Sequence, residues 1–162
     1  MSRRRTIEDL ESNLSFYSKE WRIQRVGWVL VALFLAAALG GLFGNGPLSR
    51  AYIDNGAGRL DYERFVRYGL STDLVVTPAV SAQGVTRVEI SGDYLEEFRI
   101  ERITPEPAAV RMTGRNIVYE FASAAPGASI SFHLHPQRLW RRTATITIDG
   151  GAPLHISQLT YP

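Results

Sequence analysis

The chain has 162 residues, a formal net charge of +2, 45% hydrophobic and 21% charged residues, and no cysteine. This composition excludes a disordered or collagen-like chain. The missing cysteines exclude a disulfide framework, a thiolate zinc site and a cysteine nucleophile. The length suits one ordinary domain, or a smaller domain plus an anchor.

Residues 6–25 place Ile7, Leu10, Leu14, Tyr17 and Trp21 at alternating spacings of three and four, the stripe of an amphipathic helix. Thr6 followed by Asp9 resembles a capping-box start. The stripe is too short for a stable isolated coiled coil, so it is expected to lie on a membrane surface, pair with a copy of itself or dock on a partner.

No charged residue occurs between Arg25 and Arg50, and Val26 to Phe43 is apolar or glycine at every position. Eighteen helical residues rise about 27 Å, against a hydrocarbon core of roughly 30 Å. A single transmembrane helix is expected over residues 26–46, with residues 1–25 as a separate flanking segment. Ala36, Ala37 and Ala38 resemble a signal-peptidase site. The 25 residues before the apolar run and its continuation to Phe43 favour an uncleaved signal-anchor. Arg3, Arg4, Arg5, Lys19, Arg22 and Arg25 precede the run, while only Arg50, Arg59 and Arg64 follow it closely. The positive-inside rule then puts the N-terminus in the cytoplasm and the C-terminal domain outside, in the periplasm of a bacterial inner membrane. Trp21 and Trp28 suit the cytoplasmic interface. Ala32, Ala36, Gly40 and Gly44 recur every four residues and would let a second helix approach closely, in a homodimer or with a partner membrane protein.

Residues 47–58 are rich in glycine and turn formers and read as a linker. From residue 59 to 162 the pattern changes to short alternating runs. Val85–Ile90, Ile117–Phe121, Ile130–Leu134, Thr143–Ile148 and Leu154–Leu159 read as strands, with Leu74–Val76, Phe98–Ile103 and Val110–Met112 as further candidates. Turn signals separate them at Ser91-Gly92-Asp93, Pro105-Glu106-Pro107, Gly114-Arg115-Asn116, Pro126-Gly127 and Asp149-Gly150-Gly151. The fold class expected is one transmembrane helix followed by an all-β domain, a β-sandwich of immunoglobulin-like type.

The stretches KEWRIQRVGW, GLFGNGPLS, DYERFVRYG and QLTYP, taken as a set, resemble a group of small proteobacterial single-pass membrane proteins. The resemblance spans nearly the whole chain and is loosest over the β domain. It implies a localisation and a topology, and it transfers no catalytic residue.

Chemistry-bearing residues are few. His133 and His135 lie two apart on one strand and so share a face, and His155 also points outward by alternation. Imidazoles so placed could hold copper or zinc if their strands were close enough. The nucleophile-elbow pattern is missing, Glu96 and Glu97 are adjacent and face opposite sides of an expected strand, and Gly56-Ala57-Gly58 lacks the strand and helix of a dinucleotide site. The chain is therefore read as no enzyme, with no cofactor. Arg138, Trp140, Arg141 and Arg142 cluster in an expected loop, where arginine and an aromatic suit anionic or protein partners. The plainer alternative folds Trp140 into the core and leaves the arginines solvated.

Two functions follow as expectations. The first is a non-enzymatic accessory or adaptor subunit whose helix and external domain bind a membrane protein or a second copy. The alternative is an external metal- or ligand-binding module built on the three histidines. Residues 1–25 hold six basic and four acidic side chains, while residues 50–162 hold twelve of each. The net positive charge therefore belongs to the segment before the helix, where it orients the chain in the lipid bilayer. It does not mark a nucleic-acid-binding domain.

Overall fold

The computed structural model of the chain describes the backbone of residues 3–40, 46, 48–79, 84–122 and 128–162, with side chains from residue 21 onward. It divides into two units, residues 1–40 and 41–162.

The first unit is one helix, α1, running from Arg3 to Leu39. The two segments expected before and after residue 25 are thus continuous. No proline interrupts them, and the single interior glycine, Gly27, costs only about 1 kcal/mol relative to alanine. Within α1, Trp21–Leu39 is long and apolar enough to cross a membrane, with a mean hydropathy of 1.6 and none of it buried. This window begins earlier than the expected span over 26–46, because Trp21 and Ile23 add apolar surface before Val26. Residues 41–45 of that expected span lie outside the described residues.

The second unit is a β-sandwich. Its strands are β1 (Arg50–Asp54), β2 (Gly58–Glu63), β3 (Phe65–Arg67), β4 (Thr72–Pro78), β5 (Val85–Ser91), β6 (Phe98–Thr104), β7 (Ala109–Thr113), β8 (Asn116–Ala122), β9 (Ile130–Pro136), β10 (Trp140–Ile148) and β11 (Leu154–Tyr161). One short helix, α2 (Gly92–Leu95), joins β5 to β6. One sheet has the order β1-β2-β4-β9-β6 and the other β3-β11-β10-β5-β8-β7. All pairings are antiparallel except β3 with β11.

Alternation builds the core. Along β9, Ile130, Phe132 and Leu134 are buried while Ser131, His133 and His135 are only half-buried on the other face. β11 repeats the pattern with Leu154 and Ile156 inside. Leu60, Leu74, Val76 and Phe132 of the first sheet meet Val88, Ile90, Phe121, Ile146 and Ile148 of the second. Phe132 is fully buried and sets its ring edge-on to Tyr119 at 5.4 Å and to Phe121 at 6.1 Å between centroids, so it bridges the two sheets.

The turns follow their residues. Asp149 and Gly150 both have positive φ, and the Gly151 N–H donates to the Ile148 carbonyl at 2.8 Å, which closes a tight turn at the start of the five-residue connection between β10 and β11. The Ser91-Gly92-Asp93 signal forms the start of α2 rather than a simple turn. A Cβ at Gly92 would run into the Arg115 carbonyl oxygen, so only glycine fits there. Pro126-Gly127 lies outside the described residues.

The linker expected over 47–58 is mostly structured. Residues 50–54 are β1, paired with β2 from Arg50↔Glu63 to Asp54↔Arg59. The turn formers that suggested a linker make a tight hairpin instead. The Asp54 carboxylate accepts the Gly56 N–H at 2.8 Å, and the Asn55 side-chain oxygen accepts the Ala57 and Gly58 N–H groups at 3.0 and 3.2 Å.

Candidate functional site

On α1, Ala32 and Ala36 lie one turn apart and are exposed, and Gly40 sits just past the helix, its N–H donating to the Ala36 carbonyl at 2.9 Å. These three keep the small-residue stripe on one line; Gly44 lies outside the described residues. The Arg25 guanidinium covers the Trp21 ring at 4.6 Å, an amphipathic pair at the boundary between the polar and apolar parts of the helix.

The three histidines do not converge. His133 and His135 are on β9 in the five-stranded sheet, and His155 is on β11 in the six-stranded sheet. Each points away from the core, so they occupy opposite outer faces of the sandwich. Alternation assigned the side of each strand correctly, but pairing put the strands in different sheets. His133 Nδ1 lies 2.5 Å from the Asp73 carboxylate across the β4–β9 pair, His135 contacts Gln137 at 3.1 Å, and His155 contacts Thr145 at 3.1 Å. Among the described residues no group of three histidine or acidic side chains is placed to hold a metal ion.

The Arg138–Arg142 segment contradicts its plainer alternative. Trp140 opens β10 with φ of 83° and is 74% exposed, so it does not fold into the core. It stands opposite Thr160, which is buried, yet its own side chain is exposed and its backbone is left-handed. Arg138 and Arg142 both reach the Glu97 carboxylate, at 3.5 Å each, and the Arg141 Nε–H donates to Ser157 Oγ at 2.9 Å. Glu97 is only 17% exposed and is held in place by the Gln137 N–H, which donates to its backbone carbonyl at 2.8 Å. Sequence order hid this role of Glu97, because its partners lie some forty residues on; Glu96 and Glu97 both fall in the turn after α2 rather than on the expected strand.

Polar residues line the core next to this segment. The Tyr94 hydroxyl donates to Gln158 Oε1 at 2.5 Å, Gln158 Nε2 donates to the Glu63 carbonyl at 2.8 Å, and Thr72 Oγ1 donates to the Glu63 carboxylate at 2.8 Å. Burial pushes the Tyr94 phenol well above its ordinary pKa. The chain joins the sandwich at the same end. Ser49 is fully buried, its Oγ donates to the Phe65 carbonyl at 3.1 Å, and its own carbonyl accepts the Arg64 N–H at 2.7 Å. Arg64 is the single residue over which the chain steps from β2 in one sheet to β3 in the other.

Neither protein-family models nor curated proteins give a match to the chain.

Proposed function

We propose that the chain is a non-enzymatic bitopic inner-membrane protein. Residues 1–25 are its cytoplasmic flank, Trp21–Leu39 contains its span, and the β-sandwich is its external domain. It acts as an accessory or adaptor subunit that binds a partner membrane protein or a second copy of itself. The observation that carries this reading is the apolar stretch Trp21–Leu39, none of it buried, in a chain whose other unit fills its own core. Such a helix needs hydrocarbon or another helix around it, since water would meet every apolar side chain. The arginine-rich flank supports the orientation, and the resemblance carried by KEWRIQRVGW and its companion stretches supports the same topology. The line of Ala32, Ala36 and Gly40 supports close helix packing.

Affinity purification of the full-length protein from native membranes in mild detergent tests the role. A stoichiometric membrane partner or a dimer is expected, and a lone monomer at every expression level overturns the adaptor reading. A C-terminal reporter active only outside the cytoplasm tests the orientation, which fails if a cytoplasmic reporter is active instead. Ala36→Ile with Gly40→Ile is expected to weaken crosslinking in membranes, and unchanged crosslinking removes that helix face from the interaction.

A further inference from the structure

The end of the sandwich at which the chain arrives differs from the rest of its surface. Register brings its parts together. Leu159 on β11 lies opposite Phe65 on β3, Trp140 on β10 lies opposite Thr160, and the Tyr68 N–H donates to the Tyr161 carbonyl at 2.7 Å. Leu48, Tyr68, Leu70 and Trp140 are large side chains about half or more exposed at this end. A domain with a complete core has no folding reason to hold a tryptophan outside it on a left-handed backbone.

The charges at this end are also distinct. Residues 50–162 contain twelve arginines, and six of them pair with carboxylates elsewhere or with Glu97: Arg59, Arg87, Arg111, Arg115, Arg138 and Arg142. Among the described residues the other six, Arg50, Arg64, Arg67, Arg99, Arg102 and Arg141, have no carboxylate in ion-pair range; Arg99 and Arg102 are on β6, and Arg50, Arg64, Arg67 and Arg141 are at the end where the chain arrives. Guanidinium groups left without acidic partners, interleaved with Trp, Tyr and Leu, match the phosphates and the acyl boundary of a lipid interface. Nine residues lie between Leu39 and Ser49, and the ten Cα–Cα steps reach at most about 35 Å. The opposite end of the sandwich lies roughly one strand length, about 25 Å, farther from Ser49.

We propose that this end of the β-sandwich rests on the anionic headgroup layer of the bilayer, with Arg64, Arg67 and Arg141 on lipid phosphates and Trp140 and Tyr68 in the interface. The proposal rests on the reading that α1 crosses the membrane, and it leaves the remaining faces of the sandwich for a protein partner.

Trp140 itself is the reporter. The full-length chain carrying Trp21→Phe and Trp28→Phe keeps Trp140 as its sole tryptophan. It is reconstituted into phosphatidylcholine vesicles with or without phosphatidylglycerol, each prepared with and without acyl-brominated lipid. In anionic vesicles Trp140 emission is expected to shift to the blue and to be quenched by the brominated lipid. High salt should reverse both effects, because screening weakens contacts at an exposed surface. Arg64→Gln, Arg67→Gln and Arg141→Gln together should also abolish the quenching while the thermal unfolding of the β-domain stays in place. Unquenched Trp140 in anionic vesicles, or quenching equal in the two lipids and indifferent to salt, overturns the proposal. Alkaline carbonate extraction of the same vesicles separates the two failures. Released protein means that α1 does not span, whereas retained protein with unquenched Trp140 means that the span stands and this end faces something else, such as a protein partner.

Discussion

Leu33 on α1 is 62% exposed, and Phe132 at the centre of the sandwich is 0% exposed. Both are apolar, yet they use the hydrophobic effect in different places. Phe132 leaves water by packing against Tyr119 and Phe121 of the same chain. Leu33 has no such neighbour among the described residues and can leave water only by entering another phase or meeting another molecule. The comparison shows that a residue's environment, more than its type, sets what its loss does. The two units should therefore respond to mutation through different measurements.

The largest contrast lies in folding stability. Phe132→Ala should destabilise the β-domain by about 3–5 kcal/mol through lost contacts and the cavity left behind, read as a lowered midpoint in denaturant. Leu33→Ala should leave that midpoint unchanged, and a matching shift would erase the distinction between the units. Leu33→Arg should act in the opposite sense. A charge in the middle of the apolar stretch costs about 3 kcal/mol of membrane insertion, seen as protein lost from the membrane pellet, with the β-domain's cooperative unfolding unaltered.

Gly92→Ala sharpens the comparison within the sandwich. Its Cβ meets the Arg115 backbone carbonyl, which no side-chain rotation can relieve. A loss of about 1–3 kcal/mol in thermal unfolding is expected, with membrane retention untouched. The smallest effect concerns pH. The buried Tyr94 phenol has its folded pKa raised, so the unfolded chain gives up that proton first. Its contribution is fully present below the ordinary tyrosine pKa of about 10 and is lost as pH rises above it. Ultraviolet titration should show one tyrosine ionising only as the domain unfolds, and Tyr94→Phe should remove that late component.

Much of the β-domain was legible because period-two alternation is strong where one face of a strand is buried. Ile130–Leu134, Thr143–Ile148 and Leu154–Leu159 fall inside β9, β10 and β11, and Asp149-Gly150 gives the hairpin its residues imply. The misses have physical reasons. β1 hides beside Asp54-Asn55-Gly56, whose side chains close a hairpin yet read as a linker when no partner strand is in view. β3 is three residues long and parallel to β11, a pairing fixed by tertiary packing alone. The candidate sites were less legible than the fold. Alternation gave the outward face of each histidine but could not say that β9 and β11 belong to different sheets. Trp140 was expected in a loop and instead opens β10 opposite buried Thr160, exposed on a left-handed backbone that its residue type does not announce. Glu97, which gathers Arg138 and Arg142, depends on contacts far apart in sequence.

Ser49, buried and hydrogen-bonded to Phe65 and Arg64, also fixes where the tether stops. The Gly46 carbonyl accepts the Ser49 and Arg50 N–H groups at 3.0 and 3.3 Å, so the turn ahead of β1 is bound to the strand it precedes. A pull on the chain ahead of β1 is therefore met first at this buried serine, before any β1–β2 bond carries load. One hydroxyl on the Phe65 carbonyl thereby ties the start of the domain to the crossing between its two sheets.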